Sequence, residues 1–492
     1  MAAPAATQAS NDHMNGTGSA ASLGLWDSVS IIVGIVVGVS IFGVPALIFG
    51  NVAGPWHALG AWLLGGILSL IGALCYAELA TTYPKMGGDY VYLTRAFRAP
   101  TGFLFGWGRL SVIQTGSIGS LAYIFADYAV RLLRLSPGHT VWLACACVVG
   151  VTAINLLGIV VGKTAQNILT AAKVLGLLAI VVGGFYAFQF QGAEAFAVEN
   201  PPGAAGFGFA MIFVLYAYGG WNDSAFVAAE TRDRKRNIPR SLMLGIGIIA
   251  VLYLLVNLAY IMGMGFEGAR KSWVPAADVL APMLGERGGQ AMSLLVVLSV
   301  LGAVNGVALT GARCHVALGR DHRLFALLGR WNPKKHAPTR ALLVQATIAV
   351  LMIVGVGTDA GRQAIDTVLT GLRLSRSGLP WEQYDGGFGT LVSGTAPVFW
   401  LFFLMTGVSL IVLRLNDRDR PRPFTTPLFP VIPLIFCASC VYMLYRSAIY
   451  ARGLSLFGFV PLALGIPLYF VSRHMRPANG AVQTTVERSE EQ

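Results

Sequence analysis

The hydrophobic positions of this chain gather into runs of about 20 residues, the length an α-helix needs to cross the hydrocarbon core of a bilayer. Twelve such spans are predicted, at about 28–50, 58–80, 101–130, 140–158, 165–189, 207–229, 240–264, 289–312, 341–356, 391–413, 427–447 and 454–472. Two of them break in the middle. In the sixth, LYAYGGWNDSAFVAAE (Leu215 to Glu230), the apolar run from Phe207 meets Gly219 and Gly220 and then Trp221, Asn222 and Asp223. In the first, Gly34 to Pro45 reads GIVVGVSIFGVP. Glycine weakens a helix, and a polar group left in hydrocarbon costs several kcal/mol unless something satisfies it. Each break therefore predicts a membrane helix that unwinds part-way and faces a polar cavity. A pair of interrupted spans at corresponding places in two halves of a chain is the best sequence pointer to a transporter's binding site.

The second break falls five spans after the first, the spacing of a five-plus-five inverted repeat. The expected organisation is a disordered tail over 1–24, a first repeat over 25–189, a second over 205–414, two peripheral spans within 427–472 and a polar tail over 473–492. The connection CYAELATTYPKMGGDYVYLTRAF from Cys75 is punctuated by Pro84, Gly87 and Gly88 and is expected to re-enter the bundle or lie in the interface. The third span carries Arg109, Gln114, Thr115, Ser117 and Ser120, so it is expected to face the interior. The longest external loop, about 357–390, mixes both charges and has the makings of a small cap. Pro239 suits the start of the seventh helix.

Composition agrees with the pattern. The chain is 55% hydrophobic and 12% charged, with a mean hydropathy of +0.65, against roughly 25% charge in soluble domains. The net charge of +12 raises the question of nucleic acid. The basic residues answer it by their placement: about twenty-two lie in or beside segments that an inward N-terminus makes cytoplasmic, and about ten on the other side. Arg232, Arg234, Lys235, Arg236 and Arg240 form one inner cluster, and Arg320 to Arg340 another. This asymmetry predicts both termini in the cytoplasm and a lipid surface, not nucleic acid, as the partner. All six cysteines fall in or at the ends of spans, so no disulfide framework is expected, and Cys145 and Cys147 lack the further ligands of a metal site. No HExxH, GxSxG or paired His/Asp cluster lies within the spans, so neither an enzyme, a cofactor nor a metal is expected.

A helix broken mid-membrane exposes carbonyls from its first half and N–H groups from its second. The N–H groups carry partial positive charge and suit a carboxylate, while the carbonyls suit an ammonium. Two facing breaks would bind both ends of an α-amino acid with backbone alone. The N–H groups of Val39, Ser40 and Ile41 are the candidates for the carboxylate. Carbonyls of Val36 and Val37, around Gly38, are the candidates for the amine, completed by those of Tyr216 and Ala217. Tyr218, Gly219, Trp221 and Asn222 would surround the side chain. The competing structural reading is that the glycines allow close helix packing.

Lys173 is the one charge inside the fifth span, roughly 12 Å from the start of the span near Lys163, deeper than a lysine comfortably reaches out from. Two roles stay open: a proton-coupling group, or a fixed cation bracing carbonyls. Glu78, Asp127 and Glu230 lie near span ends, where charge is tolerated, and Arg109 lies close enough to an end to reach the cytoplasm. Asp223 is deeper; it faces a vestibule or selects for cationic side chains.

Four stretches together resemble the amino acid–polyamine–organocation superfamily, and within it the L-type amino acid transporters and their bacterial relatives. They are GVSIF at Gly38 to Phe42, CYAELATTYPKMGGDYVYL from Cys75, YAYGGWN at Tyr216 to Asn222 with RNIPR at Arg236 to Arg240, and LGAVNG at Leu301 to Gly306. The resemblance implies a twelve-helix LeuT-type fold that moves amino acids by alternating access. It implies that Tyr216 closes over the substrate, and that Lys173, with Ser299 and Asn305 of the eighth span, occupies a vacated sodium site. Sodium-independent proton symport or exchange of neutral, apolar or aromatic L-amino acids is then the expected activity. A cationic amino acid or polyamine carrier, with Asp223 in its favour, and a non-transporting sensor are the alternatives. The sequence departs from the family pattern at Val39 and Ser40, where a small residue and a second glycine are usual, and at Arg234, where a proline is usual. No cysteine lies in 131–140, where animal relatives attach a heavy chain, so a stand-alone protein in the plasma (bacterial inner) membrane is expected, with protons as its candidate coupled ion.

Overall fold

The computed structural model describes residues 23–475, apart from short stretches at 39, 86, 158, 200–205, 273–274, 333–334, 336, 376–377, 380 and 382–385. Val39, both tails and part of the loop at 190–204 therefore lie outside the described residues, as does the Glu230 side chain. The described chain is helical throughout, without a named strand.

Nine of its helical stretches are long and apolar enough to cross a membrane, against the twelve spans expected, and the difference has local causes. The first span is helix α1 (Leu25–Val36), the single turn α2 (Ser40–Gly43) and α3 (Pro45–Gly50). Helix α4 (Pro55–Thr82) is unbroken, and the connection after it folds as α5 (Asp89–Phe97). The third span is not one regular helix: α6 (Ala99–Gly108) passes through a π-turn at Arg109–Ile113 into α7 (Gln114–Leu133). Helices α8 (Thr140–Leu156) and α9 (Ile159–Gln191) follow. The sixth span stops as an α-helix at the end of α10 (Gly206–Ala217) and continues as a 3₁₀ segment, Trp221–Glu230. Helix α11 (Arg234–Met264) holds Pro239 in its first two turns, and short helices α12 (Phe266–Lys271) and α13 (Pro275–Leu284) lead into α14 (Glu286–Asp321). Then come α15 (Thr339–Gly357), α16 (Asp359–Gly371) and α17 (Gly386–Asn416). The last two predicted spans, α18 (Val431–Ala451) and α19 (Leu456–His474), run on through a 3₁₀ turn as one 44-residue apolar stretch.

The exterior is apolar. Leu63, Ile67, Leu175, Val182, Val251 and Leu351 are each around half exposed or more, which is stable only against lipid or a partner surface. Inside, α11 packs along α1, α4 and α9, and α14 packs against α1, α7 and α9, so the broken first span is enclosed on several sides. The loop expected to form a cap does fold: Asp366 of α16 accepts from the Leu379 backbone N–H at 2.9 Å and from Trp381 Nε1 at 2.8 Å. Near the other end of α4, the fully buried Glu78 accepts from Arg414 Nε at 2.7 Å and from the Thr426 backbone N–H at 2.7 Å, tying α4 to α17 and the loop beyond. Beside it, partial burial would raise the Asp417 carboxyl, but its bonds from Arg95 and the Tyr83 hydroxyl hold it below the ordinary range.

Candidate functional site

The two breaks meet. Gly220, at φ +103°, stands where a β-carbon would lie 2.6 Å from Ile35 Cγ2 of α1. Only glycine enters that backbone region without strain. Gly220→Ala is therefore expected to cost about 1–3 kcal/mol, read as a lower melting temperature in detergent, together with slower transport from forcing the first and sixth segments apart.

Backbone carbonyls of both breaks converge on one side chain. The Tyr253 hydroxyl of α11 lies 2.8 Å from the Val36 carbonyl and 3.1 Å from the Ala217 carbonyl. One turn-pair further along α11, the Tyr260 hydroxyl donates to the Ile41 carbonyl at 3.3 Å. Tyr253 and Tyr260 are seven residues apart, so they lie on one face of the helix, and both are fully buried. In the first break, Val37 ends α1 by donating to Val33, and the Gly38 N–H donates back to the Val36 carbonyl at 2.6 Å. Ser40 and Gly43 are half-buried, and a β-carbon on Gly43 would meet nothing within 4 Å, so there is open space beside α2.

In the sixth segment the candidates divide. Tyr216 is half-buried and stands edge-on to Phe388 of α17 with ring centres 5.9 Å apart; its carbonyl accepts the Gly219 N–H at 3.0 Å. Tyr218 turns elsewhere, donating its hydroxyl to the Trp62 carbonyl at 3.0 Å and packing on Trp62 and Tyr253. Trp221 is wedged between Tyr76 of α4 and Phe403 of α17. Asn222 is buried beside them, with its Oδ1 unpaired among the described residues.

Lys173 of α9 is fully buried, and its Nζ donates to the Gly34 carbonyl at 2.5 Å. A β-carbon at Gly302 of α14 would lie 3.0 Å from Lys173 Cε, so this one side chain sits where α1, α9 and α14 meet. Gln166 and Thr170 share its helix face: Thr170 donates to the Ser30 carbonyl at 3.2 Å, and Gln166 Nε2 would lie against any side chain added at Gly34. Asn305 lies in an amide ladder, accepting from Asn155 at 2.8 Å and donating to Gln166 Oε1 at 3.1 Å. Ser299 is buried with its hydroxyl unpaired among the described residues.

Arg109 does not reach outward. It is buried, donates through Nη2 to Asp223 Oδ1 at 2.6 Å and stacks over Phe226 at 4.0 Å, while Thr310 of α14 donates to the other oxygen of Asp223 at 2.8 Å. The π-turn and the 3₁₀ segment are thus joined by a desolvated ion pair.

The amino acid permease family model matches residues 23–471, and the chain belongs to that family. It is 28% identical over 438 residues to the b(0,+)-type amino acid transporter 1 of Mus musculus, covering 87% of this chain and 82% of that one. It is 29% identical over 460 residues to the large neutral amino acids transporter small subunit 2 of Mus musculus, covering 91% and 80%. Among solved structures, a nucleobase-cation-symport-1 family transporter in a closed conformation with bromovinylhydantoin bound superposes with a TM-score of 0.57, over 95% of this chain and 98% of that one. At 14% identity that likeness is one of fold. The membrane spans, the family and the relatives together make this a multi-pass membrane transporter rather than an enzyme.

Proposed function

We propose that this chain carries neutral, apolar or aromatic L-amino acids across the membrane by alternating access, without sodium. The observation that carries the reading is the convergence of the Val36 and Ala217 carbonyls, from two different broken spans, on a single hydroxyl. Atoms that one hydroxyl can reach together, one ammonium can reach together. The substrate amine would take the place of the Tyr253 hydroxyl there, and the carboxylate would meet the N–H groups that open α2, where no preceding helical turn supplies acceptors. Tyr216 and Phe388 would close over the bound molecule. The names of the mouse relatives, one of them a large neutral amino acids transporter, support this substrate class.

The topology in this reading has twelve spans: α18 and α19 cross separately, and the interrupted third and sixth segments each cross once. Residues 25–189 and 205–414 are the two inverted repeats, with both termini cytoplasmic by the asymmetry of basic residues. Lys173 stands in for a sodium ion, holding the Gly34 carbonyl against α14 as a bound cation would. The cationic-substrate alternative rested on a free Asp223 carboxylate, and that carboxylate is engaged by Arg109 and Thr310.

Labelled leucine uptake into sodium-free proteoliposomes tests the proposal in two settings, an inward proton gradient over an empty lumen and no gradient over a leucine-loaded lumen. Uptake in the first alone identifies a proton symporter, and uptake in the second alone an exchanger. Silence in both, with arginine transported instead, removes the neutral substrate.

A further inference from the structure

A second buried polar centre lies beside the ion pair. Five side-chain atoms from five separate segments line one cavity of about 10 Å³: Tyr76 Oη from α4, Asp89 Oδ1 from α5, Arg109 Nε from the π-turn, Asn222 Oδ1 from the 3₁₀ segment and Thr406 Oγ1 from α17. None of the five makes a hydrogen bond of ordinary length among the described residues, although the Tyr76 and Thr406 hydroxyls face the Asp89 carboxyl closely enough to interact with it. All five residues are at least nine-tenths buried, so bulk water does not serve these atoms. An unpaired buried polar atom costs about 1–3 kcal/mol, and five around one void make the void a site.

We propose that this cavity is a built site for one water molecule, and that the water clamps the second half of the broken sixth segment to α4, α5, the π-turn and α17. The volume is at the threshold for a single water. The chemistry selects water over an ion. Arg109 Nε only donates, so the occupant must offer a lone pair, and the guanidinium charge repels a metal cation. Asp89 Oδ1 and Asn222 Oδ1 only accept, so the occupant must offer two protons, which an anion cannot. A water accepts from Arg109 Nε and from one of the two hydroxyls while donating to Asp89 and Asn222, filling all four of its bonds. Asp223, already held by Arg109 Nη2, is the other charged group at this junction. Only the consequence for transport, through Asn222, rests on the function proposed above.

The sign of two conservative substitutions tests the site without any substrate. Tyr76→Phe and Thr406→Val each delete one hydroxyl and little else. The water accepts from only one of the two hydroxyls, so the variant of the full chain in nanodiscs that lacks that hydroxyl melts lower, on the order of 1–2 °C, and the other variant changes little. If both variants melt at or above the unmodified chain, neither hydroxyl holds a water, which overturns the proposal. A lower melting temperature also fits direct contact with Asp89, so a cryo-EM map of the unmodified chain at water resolution decides between the two, and decides alone should either variant fail to fold. A solvent peak within hydrogen-bond reach of Arg109 Nε and Asp89 Oδ1 is expected; a dry cavity, or one closed by direct contact between these side chains, overturns it. Neither measurement involves an amino acid, so its failure is separable from failure of the transport reading.

Discussion

Lys173→Ala is expected to lower amino acid uptake by about 100-fold, because the side chain it removes bonds the Gly34 carbonyl of α1 and packs against Gly302 of α14. The ammonium bond to the Gly34 carbonyl is charge-assisted and buried, a type of contact that contributes about 1.5–3 kcal/mol; roughly 2.7 kcal/mol corresponds to a hundredfold change in an equilibrium. Truncation also leaves the Gly34 carbonyl without its partner and opens a cavity beside Gly302, so some loss of thermal stability should accompany the loss of rate. Lys173→Met separates the two effects, since it keeps most of the volume and removes only the charge. Uptake into proteoliposomes, normalised to the amount of folded protein, is the measurement. A Lys173→Met carrier at the unmodified rate would show that packing against Gly302 suffices and that the charge takes no part.

Breaking the Arg109–Asp223 pair from one side should be worse than removing it altogether. Arg109→Met leaves a carboxylate buried without its counter-charge, and Asp223→Asn leaves a guanidinium in the same position; each is expected to cost about 3–5 kcal/mol. The double variant, Arg109→Met with Asp223→Asn, strands no charge, and Thr310 still finds an amide oxygen to donate to. It should melt above either single variant, and a double-mutant cycle on melting in detergent reads the coupling directly. The pair also settles what selectivity experiments should give: if Asp223 serves Arg109, competition of lysine or arginine with leucine is unchanged in Asp223→Asn wherever that variant folds. Additive single effects would mean that the two charges do not depend on each other.

Much of this architecture is legible in the chain. The length of the apolar runs, the glycine–polar break in the sixth span and its counterpart in the first each correspond to a real interruption in the helices. The buried position of Lys173 follows from its depth in an apolar run. What the sequence hides is which atoms answer one another across the bundle. Tyr253 and Tyr260 look like ordinary aromatics of an apolar span, and only their seven-residue spacing marks a shared face. Gln166 and Thr170 fall seven and three residues before Lys173, on the same helix face, so the polar stripe of α9 is legible as a unit rather than as a lone lysine. Arg109, close to a span end by count, is turned inward by the π-turn, which no periodicity signals. Tyr218 and Trp221 sit next to the break in sequence but anchor it to α4 and α17, because residues flanking an unwound segment point in directions that spacing alone does not determine.

That π-turn carries a consequence for comparing sequences. A π-turn takes in one residue more than an α-turn at the same place in a helix, and one residue corresponds to about 100° of rotation at 3.6 residues per turn. Straightening Arg109–Ile113 by a single deletion would leave α7 where it is and swing the whole of α6 about its axis, carrying Arg109 away from Asp223. A relative with a regular helix here has one residue fewer, and an alignment drawn through the third span without a gap would pair every position on one side of the turn with the wrong neighbour.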